Sequence, residues 1–210
     1  MPSWKLEDAN EIRKESPYTF YKPSEVIIDQ LKPGESTVKL IFSFESEEPD
    51  VPGAERMWVI MESLDEFGNY SGILDNEPFH IKDLHAGDLV TFRREHIIQY
   101  DTLYELDIED PLDEMIGKFA IKCFVSNHIM NEGYMVGRLY REETDDEDYS
   151  GWTIMSDYEN QEYVDDVANL QYISIGKVLN IDDSFIDILD ASVGADFSKD
   201  DKTGKYFSIE

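Results

Sequence analysis

The chain has 210 residues, 41% hydrophobic and 12% aromatic, enough to bury a core and too rich in large apolar side chains for disorder throughout. Its 47 Asp and Glu against 18 Lys and Arg give a formal charge of -29, a field that repels phosphate backbones and anionic membranes and steers basic proteins inward. No run approaches the roughly 20 apolar residues of a membrane helix. The first ten residues lack a secretory-signal pattern, and a lone Cys123 excludes an intrachain disulfide or a two-cysteine metal site, which together point to the cytoplasm.

In chain order, Ser24 followed by Val26, Ile27, Ile28 and Leu31 predicts a short helix over residues 25–31, stopped by Pro33 and Gly34. Val38, Leu40, Phe42 and Phe44 alternate and predict a half-buried strand over 37–44. The acidic stretch 45–55 reads as a solvated loop. Residues 56–64 and 70–74 flank the turn Asp65-Glu66-Phe67-Gly68-Asn69 and predict a hairpin. The turn Ala86-Gly87-Asp88 launches a strand over 89–93 that residues 97–100 extend or follow, so 37–108 form a mostly antiparallel sheet. The acidic, proline-bearing segment 109–113 marks a boundary between a sheet-rich domain, 1–112, and a second domain, 113–210.

In the second half the apolar run 119–125 predicts a buried central strand, turned at Asn131-Glu132-Gly133 toward 134–140. Further strands are expected over 152–155 and 172–178, with short helices over 160–167 and over 183–189 behind Asp182. The fold class is α+β, two small lobes, each a mostly antiparallel sheet with a few short helices.

No catalytic constellation stands out. His80, His85, His96 and His128 lack the i, i+4 spacing of a helical zinc site, Cys123 sits mid-strand among apolar residues, and no phosphate loop, dinucleotide fingerprint or nucleophile elbow occurs. No cofactor or metal is implied. Glu142, Glu143, Asp145, Asp146, Glu147 and Asp148 lack the glycine and terminal Glu of an EF-hand, and read as a solvated acidic loop suited to contacting a cationic patch. Arg141 beside them is placed for a bidentate carboxylate pair. Trp152 either covers that pair and packs in the core or, with Tyr140 and Tyr149, anchors a partner. An enzyme is the weakest reading, a hydrolase with Arg141, Glu142, Asp157 and Glu159 gathered around Trp152.

These residues carry a resemblance. Cys123-Phe124-Val125-Ser126, Gly137 through Glu142, Ser150-Gly151-Trp152 with Asp157 and Glu159, Tyr163, and Leu189 through Gly194 to Phe197 are similar in order and spacing to the bacterial immunity-protein family numbered thirty-three in the polymorphic-toxin classification. The first half, through Met57-Trp58-Val59, Gly72 to Asn76 with Pro78, and Gly87-Asp88-Leu89-Val90, resembles a second domain family of unknown function. The first resemblance implies an intracellular protein that neutralises a toxin by binding it, and it makes residues 140–143, 145–149, 152, 157 and 159 the expected contact set. An accessory or regulatory module with another protein partner is the alternative.

Overall fold

Alternation of apolar residues decides the first sheet. The computed structural model describes residues 2–46 and 51–209, so part of the expected acidic loop, residues 47–50, lies outside the described residues. The chain divides into two compact units, Met1–Glu15 with Phe20–Glu114, and Ser16–Thr19 with Met115–Glu210.

In the first unit, β1 (Trp4–Leu6), β2 (Ser36–Phe44), β3 (Ala54–Leu64), β4 (Tyr70–Leu74), β5 (Leu89–Phe92) and β6 (Ile97–Thr102) form an antiparallel sheet with helices α1 (Ala9–Glu15) and α2 (Glu25–Ile28) beside it. The strands β2 to β5 lie in sequence order, while β1 and β6 share the other edge of β2, at residues 42–44 and 36–40 respectively. Val38, Leu40 and Phe42 project to one face and pack with Met57, Val59, Met61, Val90 and Phe92. The hairpin of β3 and β4 forms as its turn chemistry requires, since the Asp65 carboxylate accepts N–H bonds from Phe67 and Asn69.

Two expectations here change. The helix over 25–31 contracts to α2, and the Ser24 hydroxyl makes no capping bond. Its N–H instead donates to Asp110, whose carboxylate also accepts from the Tyr21 hydroxyl and the Leu112 N–H. Asp110 is therefore buried rather than solvated as part of the acidic segment 109–113. Burial opposes its charge, but those hydrogen bonds outweigh it and hold its pKa below the usual carboxylate range. Pro111, needing no N–H partner, begins helix α3 (Pro111–Lys118) at once.

The second unit is a six-stranded sheet ordered β10 (Leu170–Ser174), β7 (Lys122–Ser126), β9 (Tyr149–Met155), β8 (Arg138–Arg141), β11 (Asp196–Lys199), β12 (Tyr206–Ser208). The β7/β9 pair is parallel and the rest antiparallel. Helices α4 (Asn127–Glu132), α5 (Gln161–Asp165) and α6 (Ile175–Leu179) complete it. Cys123, Val125, Leu139, Trp152 and Ile154 meet Ile129 of α4 and Val178 and Leu179 of α6 in its core.

Here local polar chemistry overrides the apolar runs. The expected strand 119–125 starts only at Lys122, because the Phe119 N–H still bonds Met115 in the helical manner. It stops at Ser126, whose hydroxyl accepts the His128 N–H and caps α4, a helix in place of the expected direct turn. Gly133, at φ 80°, ends that helix in the left-handed conformation. The strand expected over 172–178 gives way at Ile175 to α6, and the helix over 183–189 reduces to a 3-10 turn, Ile186–Ile188.

Candidate partner-binding site

One face of the second sheet is the core; the other presents aromatic rings. Because paired residues share a face, the register Tyr172, Phe124, Thr153, Tyr140, Asp196 runs as one row across five strands, out of phase with core-facing Cys123, Leu139 and Ile154. Phe124 lies 5.1 Å from Tyr172 and 5.3 Å from Tyr149, ring to ring, and Tyr149 lies 6.0 Å from Tyr172. Phe124 and Tyr172 are 37% and 38% exposed. Burial, with the Glu142 charge nearby, raises the Tyr149 phenol above its usual pKa, so all three rings are neutral at pH 7.

Tyr149 reaches this cluster through an irregularity. Between the pairs Lys122 with Tyr149 and Phe124 with Thr153, β9 holds two more residues than β7. Gly151 takes up the excess at φ 83°, where a Cβ would stand 2.3 Å from the Glu142 carbonyl oxygen. The same approach closes the hairpin of β8 and β9, whose connection, residues 142–148, carries the six expected acids, all exposed. Asp146 fastens this loop to the aromatic face, since its carboxylate accepts from the Tyr172 hydroxyl at 3.2 Å and from the Asp148 N–H. Glu142, Glu143, Asp145, Asp146, Glu147, Asp148, Tyr140 and Tyr149 thus share one end of the hairpin or the row it joins.

The remaining expected residues lie elsewhere. Trp152 is 1% exposed, and its indole N–H donates to the Leu189 carbonyl, so its area is spent on the core. Among the described residues Arg141 makes no carboxylate pair; its Nε and Nη1 donate to the carbonyls of Ser150 and Ala191, at 3.1 and 2.6 Å. The Glu159 carboxylate is fully buried beside His128 and accepts from the N–H and hydroxyl of Ser156 and the N–H of Tyr158. Burial opposes its charge, but hydrogen bonds from Ser126 and Ser156 prevail and depress its pKa. Asp157 is exposed just past β9, in the left-handed region at φ 73°. The seven residues of β9, about 20 Å of strand, separate it from the loop end. The hydrolase grouping of Glu142, Asp157 and Glu159 around Trp152 therefore does not assemble.

Sequence reasoning passed over Phe124 and Tyr172. Their signal was phase: Phe124 alternates with Cys123 and Val125 and shares a side with exposed Lys122, so it leaves the core face. Among the described residues no three His, Cys, Asp or Glu side chains are placed to hold a metal ion, and no helix is long and apolar enough to cross a membrane.

A family model described as uncharacterized protein conserved in bacteria (DUF2314) matches residues 4–137. The chain belongs to the DUF2314 family. That match spans the first unit and continues through β7 and α4, whereas a model of the immunity protein Imm33 domain matches residues 123–210. The DUF2314 chain is thus similar to an immunity-protein domain over the whole aromatic face and its acidic loop, and both resemblances read from the sequence are borne out. No curated protein and no solved structure matches it.

Proposed function

We propose that this protein is a cytoplasmic, immunity-type binding protein whose C-terminal unit docks a basic protein, a bacterial toxin domain, on the aromatic face. The observation that carries the reading is the partly exposed cluster Phe124, Tyr149 and Tyr172, tied through Asp146 to the five acids clustered around it. Rigid rings with partial exposure supply contact area at low entropic cost. The acids beside them, and the -29 charge of the whole chain, orient a cationic surface during encounter. A toxin that acts on nucleic acid carries such a surface, and the similarity to an immunity-protein domain supports a toxin as the partner.

The test uses the purified protein and the basic protein that an affinity pull-down from the source bacterium recovers with it. Phe124→Asp with Tyr172→Asp should weaken binding at least 100-fold, about 2.7 kcal/mol, while leaving the melting temperature within a few degrees. Unchanged affinity in that double variant overturns the assignment of this face.

A further inference from the structure

Arg141 is anomalous in so acidic a chain. Three residues earlier on the same strand, Arg138 holds Asp196 with Nε at 3.2 Å and Nη2 at 2.8 Å. Arg141, in contrast, spends Nε and Nη1 on two backbone carbonyls, has no carboxylate within ion-pair distance among the described residues, and leaves Nη2 without a hydrogen bond there. Carbonyls satisfy donors but neutralise no charge. The guanidinium lies 5.8 Å over the Trp152 ring and borders a pocket of about 200 Å³ in the second unit.

The pocket has two kinds of wall. Its apolar side is made by Phe119, Ile121, Trp152 and Leu189. Its polar side is Arg141 together with Lys118, which pairs at 3.1 Å with Asp190, a residue whose side chain is 79% exposed. An exposed pair of this kind is worth at most about 1 kcal/mol, so Lys118 can exchange Asp190 for another anion at small cost. The volume is that of about seven waters, or of a four-carbon acid.

We infer that this pocket binds a carboxylate carried on a short apolar stem, with the carboxylate on the free Nη2 of Arg141 and on Lys118, and the stem against Trp152. The inference is independent of the aromatic face. Such a group belongs equally to a free short-chain acid or to the C-terminal residue of a protein chain, and the experiment separates these sources.

The test is an NMR titration of the intact protein with butyrate and with uncharged, nearly isosteric butyramide at matched ionic strength, following the Trp152 indole N–H, which the bond to Leu189 O places in the pocket wall. Butyrate should give a saturable shift at least tenfold tighter than butyramide. Lys118→Gln should weaken it severalfold, and Asp190→Asn, which removes the competing anion, should tighten it; neither touches the carbonyl bonds of Arg141. Then a tripeptide ending in leucine, as free acid and as amide, assigns the source: tighter binding of the free acid than of butyrate points to a protein C-terminus, and weaker binding to a small acid. Equal responses to butyrate and butyramide, or an Asp190→Asn protein that binds butyrate more weakly, overturn the inference.

Discussion

Replacing Gly151 by alanine should open the C-terminal unit, and the structure sets the size of the effect. At φ 83° an alanine carries a cost of about 1 kcal/mol for the left-handed conformation. The added Cβ, 2.3 Å from the Glu142 carbonyl oxygen, is met by backbone rather than by a movable side chain. Relief requires the hairpin end to part, which loses the Glu142 N–H bond to Gly151 O, about 1 kcal/mol, and strains its neighbours by about as much again. The total is about 3 kcal/mol. Gly133→Ala is the matched control, because Gly133 has φ 80° but open space around its Cβ position, leaving only the conformational cost of about 1 kcal/mol. Cys123, the single cysteine and 0% exposed, reports the opening of this unit alone. Its burial also pushes the thiol pKa up to about 12, so it is inert until exposed. Under native conditions with fast reclosing, labelling by a thiol reagent should be about 150-fold faster than wild type in Gly151→Ala and about fivefold faster in Gly133→Ala. Equal labelling rates in the two variants would refute the argument that the close approach of β8 and β9, and not glycine flexibility, fixes this bulge.

Further expectations follow from the buried polar groups and the exposed rings. Glu159 has a folded-state pKa below its unfolded value, so its contribution to stability is present above pH about 4.3 and is lost as pH falls through the lower, folded pKa. Glu159→Gln should cost about 1–3 kcal/mol at pH 7 and flatten the acid limb of a denaturation series between pH 2 and 5; an unaltered limb would show that this carboxylate is not what acid titrates. Trp152→Phe, which leaves the Leu189 carbonyl without its donor and Arg141 over a smaller ring, should cost about 2 kcal/mol in urea denaturation. A loss under about 0.5 kcal/mol would favour the partner-anchoring alternative for Trp152 over core packing. Phe124→Ser, by contrast, should change stability by less than about 1 kcal/mol, because that ring projects from the outer face.

Period-two patterns made the first sheet legible, down to the β3/β4 hairpin turn on Asp65, since those strands bury one face and leave the other wet. They were misleading where short polar side chains cap backbone groups: Ser126 converts an apolar run into a strand and a helix, and Asp110 turns an apparent linker into a buried hub. The Asp110 partners Tyr21 and Ser24 are set by tertiary approach and are not readable from spacing, whereas the Ser126 cap is local and competes with the continuing apolar pattern. The acidic loop was legible because six consecutive-range acids admit no buried solution. Arg141 and Trp152 stood out as unusual, and alternation along β9 puts Trp152 in phase with core-facing Ile154, because the two extra residues at Gly151 preserve a period of two. With that phase known, Phe124 and Tyr172 replace Trp152 and Glu159 on the outward surface.

The most direct measurement of the docking account is the association rate with the basic partner recovered by pull-down, as a function of salt. It is made for wild type and for a variant with Glu143, Asp145, Glu147 and Asp148 changed to Asn or Gln, which spares the Asp146 bond to Tyr172. At about 0.02 M salt the variant should associate about tenfold more slowly, with dissociation little changed, and the difference should vanish near 1 M, where the Debye length falls to about 3 Å. Equal association rates at low salt would contradict the claim that this loop steers the partner onto the aromatic face.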